Sequence, residues 1–309
     1  MTAHRTAQAL AAAATLTLAL AAPLQAQRER HAPLLLQLPV TARTMAMGGL
    51  TAATRDVESV FGNPALVGGN NAVSLSLGRY ASGATTGHLA TAMNVGMLGV
   101  GVGVALLDAP QHALGPALDS DVLTDEGTLA ASNLAATVAA SLAWKGFRWG
   151  AAARYVESRR GAQRGSSPSF DLGISKNLLS GQLSTGLVLQ YLGRDLNDRI
   201  NTRALPTRIA FGLAGGGKNI GKWIDVGASA NIAVREDGEV YPTGGGELSW
   251  LPLEGVSLTV WGGARRPELR AQRPLTGGVG VTLDRLSLDY GWEDMRGAGG
   301  AHRVTLRLR

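Results

Sequence analysis

Residues 98–106 read Leu-Gly-Val-Gly-Val-Gly-Val-Ala-Leu, so that Leu98, Val100, Val102, Val104 and Leu106 alternate with Gly99, Gly101, Gly103 and Ala105. Two is the side-chain period of an extended strand, which here has one greasy face and one nearly bare face. Such a strand belongs either to a soluble sandwich or to a barrel in lipid. Working outward in both directions, comparable segments recur near 73–80, 88–95, 132–144, 148–157, 169–176, 182–191, 206–214, 223–234, 245–250, 256–265, 274–283, 286–293 and 302–309. Together they predict about fourteen strands, most of roughly the 9–11 residues that a tilted membrane strand needs.

The large apolar residues keep to one side. Leu134, Val138, Leu142 and Trp144 share a face, as do Leu183, Leu187, Leu189 and Tyr191, then Ile224, Val226, Ile232 and Val234, then Leu286, Leu288, Tyr290 and Trp292. The opposite faces carry Arg154, Asp225, Ser229, Asn231, Ser287, Asp289, Arg303 and Arg307. Connections after odd-numbered strands read as long (108–131, 158–168, 192–205, 235–244, 266–273, 294–301), and those after even-numbered strands as mostly tight. Segregation of loop length by parity is expected of outer-membrane barrels and not of sandwiches. Trp144, Trp149, Trp223 and Trp250 fall beside the tight turns, while Tyr80, Tyr155, Tyr191 and Trp292 fall where strands enter long loops. Two aromatic belts, one per interface, are the expectation. Trp261 lies mid-strand, opposite Val256, Leu258 and Val260, and is expected to face the lumen.

Composition supports this reading. The 309 residues include 42 glycines and no cysteine, and only 17% are charged. The chain therefore has no disulfide, thiolate metal site or thiol nucleophile. A net charge of +6 and a pI near 10.0 raise the question of nucleic acid. The arginines, however, cluster in expected loops with no recognition helix or base-stacking platform beside them. Residues 1–26 read as a secretory signal: His4 and Arg5, an apolar run from Ala9 to Leu24, and Ala26 at the cleavage position. No later run is long enough for a membrane helix, so any later span must be a barrel strand. The expected organisation is a signal peptide (1–26), an N-terminal periplasmic or luminal plug segment (27–72) and a transmembrane antiparallel β-barrel (73–309), all-β in class.

The plug segment does not alternate. Asp56 can cap a turn over 57–61, Asn63 followed by Pro64 is a cap with proline at the first helical position, and Gly68 can end that turn. Two short helical pieces of this kind, too small to fold alone, are expected to tuck into the barrel.

These residues carry a resemblance. Ala42-Arg43, Ala46-Met47-Gly48-Gly49, Asp56 and Asn63-Pro64-Ala65 resemble the N-terminal signature of PorV/PorQ-type proteins, relatives of FadL-like outer-membrane barrels. The spacing matches across about 27 residues. The resemblance implies a barrel of about fourteen strands with the N-terminal segment in its lumen. It assigns a structural or gating role to Arg43, Gly48, Gly49, Asp56, Asn63, Pro64 and Ala65. In PorV-like members it implies assistance to a secretion system, with secretion proteins or exported cargo as partners; in FadL-like members it implies passage of hydrophobic molecules. The first is the leading expectation and the second the alternative, both in contact with outer-membrane lipid. Two departures stand out: Arg55-Asp56 replaces the family's paired aspartates, and Arg309 ends a strand where an aromatic is favoured.

Other motifs fail. Residues 216–223, Gly-Gly-Lys-Asn-Ile-Gly-Lys-Trp, are one residue short of a phosphate-binding loop and run into a strand. His4, His31, His88, His112 and His302 are not paired at ligand spacing, so no metal is expected. No cofactor, nucleic acid or enzyme activity is expected; His88 is the sole mid-barrel candidate for a Ser–His pair. The bare faces at Gly99, Gly101, Gly103, Gly277 and Gly278 are expected to leave room for a path through the lumen. The acidic loop with Asp108, Asp119, Asp121, Asp125 and Glu126 is the expected partner surface in the secretion reading.

Overall fold

The computed structural model describes residues 32–68, 71–110, 131–161, 163–197, 202–269, 271–296 and 299–309. The expected signal peptide, Gly69 and nearly all of the acidic loop lie outside the described residues.

The strands are β1 (Ala72–Tyr80), β2 (Thr85–Val95), β3 (Leu98–Ala109), β4 (Ala131–Trp144), β5 (Phe147–Arg160), β6 (Gln163–Leu178), β7 (Leu183–Gly193), β8 (Arg208–Ile220), β9 (Ile224–Arg235), β10 (Val240–Leu253), β11 (Val256–Arg265), β12 (Gln272–Leu283), β13 (Leu286–Met295) and β14 (Gly299–Leu308). Each pairs antiparallel with its chain neighbours, and β14 returns to β1, from Val73 opposite Leu308 to Tyr80 opposite Ala301. The result is a closed fourteen-stranded barrel. Two further two-residue strands, Leu196–Asn197 and Thr202–Arg203, lie in the connection after β7. Closure leaves none of the fourteen barrel strands with a free edge.

Alternation sorts the side chains. On β1, Val73, Leu75 and Leu77 are exposed while Ser74 and Ser76 are buried; on β3, Val102, Val104 and Leu106 are exposed while their glycine and alanine neighbours face inward. Val138, at mid-strand, is 62% exposed. A folded protein in water does not leave a continuous ring of such side chains bare, whereas acyl chains cover it without cost. The tight turns have matching local chemistry: Lys145 and Gly146 both adopt positive φ (52° and 78°), as a two-residue hairpin between right-twisted strands requires.

The connections depart from the sequence expectation in three places. After β5 only residues 161–162 intervene, after β9 only 236–239, and after β13 only 296–298. The strands continue past the apolar band: on β5 and β6 the outward row runs on through Glu157, Arg159, Arg164 and Ser166, still in register. Alternation of greasy residues stops where lipid stops, but backbone pairing needs only a neighbouring strand. One end of the barrel nevertheless has turns as short as 96–97 and 284–285, and the other carries the connections 110–130 and 194–207.

Candidate functional site

Residues 32–68 lie inside the barrel as a chain of short helical pieces: a 3-10 turn at Leu34–Gln37, helix α1 (Ala42–Ala46), and 3-10 turns at Val57–Val60 and Pro64–Leu66. Thr41 caps α1 by accepting from the Thr44 amide, Asp56 accepts from Val57 N, and Asn63 Oδ1 accepts from Ala65 N with Pro64 at the first turn position. No piece exceeds five residues, so none is stable by itself. The wall completes them.

The seat is built from bare wall positions. A Cβ added at Gly291 of β13 would strike the Ala42 backbone. At Gly278 of β12 it would meet Ala46, at Gly263 of β11 and Gly245 of β10 Met47, and at Gly212 of β8 Ala52. At Gly173 of β6 it would strike Asn63, at Gly150 of β5 Ala65, and at Gly103 of β3 the Phe61 ring. The segment thus winds round the inner circumference on glycine steps that let backbone lie on backbone. The path expected along Gly99, Gly101, Gly103 and Gly278 is therefore filled: Val67, Val60, Phe61 and Ala46 occupy it. A missing Cβ gives room, and here the room is taken by the chain's own N-terminal segment.

Wall side chains then satisfy the segment's backbone. Thr305 Oγ1 accepts from Ala42 N (2.8 Å), Thr276 donates to Ala46 O (2.9 Å), Asn231 accepts from Ala52 N and donates to Leu50 O, and Gln190 donates to Gly62 O (2.9 Å). Arg154 donates to Phe61 O while paired with Asp171 at 2.9 Å, and Arg148 donates to Ala65 O and Val67 O. Each such bond contributes only about 1 kcal/mol, but leaving any one unmade costs more.

The charged residues form a latch. Arg307 of β14 reaches Asp56 at 3.0 Å and Asp289 of β13 at 3.0 Å, with Glu58 at 3.9 Å. Arg43 reaches Glu247 of β10 at 2.8 Å and Asp56 at 3.8 Å, and Trp261 donates to the same Glu247 oxygen at 3.1 Å. Burial pushes the Asp56 carboxyl up, but Arg307, Arg43 and Arg309 outweigh it and hold it below the usual carboxylate range. Glu58 goes the other way: burial, then the adjacent Asp56, raise it to about 7 despite Arg307 and Arg43. Thr41 and Thr44 donate to its other oxygen at 3.2 Å. Two neighbouring carboxylates facing too few cations share the charge unequally.

Toward the loop end the segment changes character. Leu35, Leu36 and Leu38 are buried with Leu107, Val156, Leu196, Leu205 and Met295 in one apolar cluster. Beside them the lumen keeps a cavity of about 50 Å³, bordered by Leu36, Leu38, Leu50 and Phe61 and also by Glu58, His88, Arg154, Gln190 and Arg208. A larger apolar hollow of about 740 Å³ lies among outward side chains such as Leu89, Val104, Val138 and Phe170, and shares only Arg154 with the lumen cavity.

The residues singled out by sequence fall as follows. Arg43, Asp56, Asn63, Pro64 and Ala65 all belong to the seat, and Gly48 and Gly49, with φ of 93° and 98°, turn the chain out of α1 between β10 and β11. Trp144, Trp149, Trp223 and Trp250 are exposed beside short turns; Tyr155 and Trp292 are exposed toward the loop end. Tyr191 departs from the expected belt, being 4% exposed. A bulge between β6 and β7 at Asp171 puts Tyr191 at φ 60°, which swings it into the lumen, where its hydroxyl donates to Leu36 O and its ring lies under Arg154. Tyr80 is likewise inside. His88 faces Arg303 and the Phe61 ring edge and has no hydrogen bond to a serine among the described residues. The lumen-side Asn231, Arg303 and Arg307 were legible as inward, but nothing in the sequence showed that they meet the segment, Asn231 and Arg303 at its backbone and Arg307 at Asp56; Glu247, Gln190 and Thr305 were not singled out.

No family profile and no curated protein matches the sequence. Among solved structures, the toluene transporter TodX of P. putida is similar with a TM-score of 0.58 at 11% identity, over 88% of this chain and 96% of its own. The deltaS2 mutant of the TodX monoaromatic hydrocarbon channel is similar at 0.58 and 11% identity, over 86% and 96%. The deltaS2S3 mutant gives 0.57 and 11%, over 87% and 97%. At this identity the likeness is one of fold.

Proposed function

We propose that the protein is a FadL-like channel of a bacterial outer membrane that passes apolar small molecules and that the N-terminal segment is its gate. The reading is carried by the leucine end of that segment, where Leu36 and Leu38 border the lumen cavity of about 50 Å³. A hydrocarbon entering there can replace leucine–leucine contacts with equivalent ones, because burial and dispersion do not distinguish the source of a methylene. The cavity is too small for such a guest until the leucines move, so the arrangement described is the closed form. Further support comes from the fold shared with a toluene transporter, the apolar outer band and the expected export signal. The signature Arg43, Gly48, Gly49, Asp56, Asn63, Pro64 and Ala65 then serves to seat the gate. The belts of Trp144, Trp149, Trp223, Trp250, Tyr155 and Trp292 anchor the barrel at its two interfaces.

The secretion-accessory reading rests on the PorV/PorQ-like spacing alone, and ranks second because that spacing is accounted for by the seat.

Vesicles with a lipopolysaccharide outer leaflet and the wild-type protein are expected to take up toluene faster than protein-free vesicles. Leu36→Ala, which widens the cavity at the leucine end, is expected to raise that uptake further. Wild-type uptake no faster than the bilayer's own leak would reject the channel, and uptake indifferent to Leu36 would reject the gate.

A further inference from the structure

The rim of the barrel at the short-turn end, between β4, β5 and β6, holds a hollow of about 390 Å³ that the gate does not use. Its lining includes four cations, Arg55 of the luminal segment, Lys145 at the turn tip, Arg148 of β5 and Lys176 of β6, and no carboxylate. Arg148 is fixed by its bonds to Ala65 O, Val67 O and Ser141 Oγ, which use Nε and Nη2 and leave Nη1 over. Arg55 makes no hydrogen bond or ion pair among the described residues, and its Nε is buried without a partner. Burial, then the proximity of Arg148, weaken its hold on its proton. In the same lining Ser175 is 2% exposed, and its hydroxyl also lacks a partner. Four like charges with unfilled donors round one hollow repel each other unless an anion joins them.

The lining also crosses the rim. Trp144 lies in the outward row of β4, with Lys145 over its ring at 4.6 Å, and Lys176 lies over the Phe147 ring at 4.6 Å. A free ion accounts for the luminal arginines but not for an aromatic, lipid-side border. We infer that this rim binds the phosphate of an anionic membrane phospholipid. Arg55, Arg148 and Ser175 donate to the phosphate, Lys145 and Lys176 flank it, and Trp144 and Phe147 border the lipid's glycerol and acyl end. Guanidinium forks suit phosphate oxygens, and leaflet lipids supply them. The site does not depend on what the lumen carries.

The test uses the full-length mature protein in nanodiscs of mixed phosphatidylglycerol and phosphatidylcholine, with retained lipid counted by native mass spectrometry after stepwise delipidation. Phosphatidylglycerol is expected to be retained over phosphatidylcholine on the order of tenfold. Arg55→Gln, which breaks no internal bond, is expected to remove most of that preference at an unchanged melting temperature, and Ser175→Ala part of it. The Lys145→Gln/Lys176→Gln pair is expected to keep a preference. Equal retention of the two lipids would overturn the assignment. So would a preference lost with the lysines but indifferent to Arg55, which is ordinary interfacial attraction. Displacement of phosphatidylglycerol by inorganic phosphate at matched concentration would move the site to a soluble anion and equally overturn it.

Discussion

The two halves of the luminal segment are held by different physics. From Leu34 to Val40 it is held mainly by packing: Leu35, Leu36 and Leu38 bury into an apolar cluster, with hydrogen bonds from Tyr191 to Leu36 O and from Arg303 to Val40 O. From Thr41 to Val67 it is held by directional bonds and ion pairs to the wall, on glycine steps that fix its path. Apolar packing is non-directional and tolerates substitution by any greasy group, while a buried polar network tolerates none. In the proposed channel, one half yields to a hydrophobic guest and the other returns the segment to one place.

The contrast can be broken most forcefully at the latch. Arg307→Ala strands Asp56, Glu58 and Asp289 without their shared cation. It should destabilise the seat by about 3–5 kcal/mol, read as raised ion conductance in planar bilayers and as trypsin cleavage within the segment. An unchanged conductance would show that the ion pairs do not hold the gate. Next is Gly150→Val, which drives a side chain into Ala65 while leaving the wall's own pairing intact. A loss of about 1–3 kcal/mol with the same readouts is expected. A loss of about 2 kcal/mol, the low end for a buried leucine because the site already adjoins a cavity, is expected of Leu36→Ala. Conductance should barely change while toluene retention rises; a conductance rise matching that of Arg307→Ala would erase the distinction between the halves.

The smallest effect is one of pH. Glu58 titrates near 7 when seated and near 4.5 when free. A carboxyl raised in this way adds stability that is fully present below its free value and is lost as pH rises through about 7. Asp56, held below its ordinary 3.8, acts oppositely and matters only in acid. The gate should therefore open more readily at about pH 8 than at about pH 6, with Glu58→Gln flattening the difference. A slope of the same sign in that variant would assign the titration to another group.

Much of the barrel was legible because alternation is a local signal. Leu98 to Leu106 states its two faces without reference to any other strand, and the turns at Lys145-Gly146 and Asp284-Arg285 do the same. The caps at Asp56 and Asn63 were legible for the same reason. Tyr191 was misplaced because a bulge formed with Asp171 some twenty residues earlier reverses its side, and a bulge is a property of a pair of strands. The short connections after β5, β9 and β13 were overestimated because pairing outlasts the greasy pattern. The glycine rows were found, but their use as a seat was not: an absent side chain does not name what fills its place.

Sequence alone determined that the chain alternates, that it closes an even set of strands with apolar groups outward, and that a short capped segment precedes them. All of these follow from side-chain period and cap chemistry within a few residues. Tertiary structure alone decided that Arg307 meets Asp56 and that Gly150 and Gly173 meet Ala65 and Asn63. It also brought Arg55, Arg148 and Ser175 to one rim. Those contacts join residues far apart in the chain, and only closure of the barrel around its own N-terminal segment brings them together.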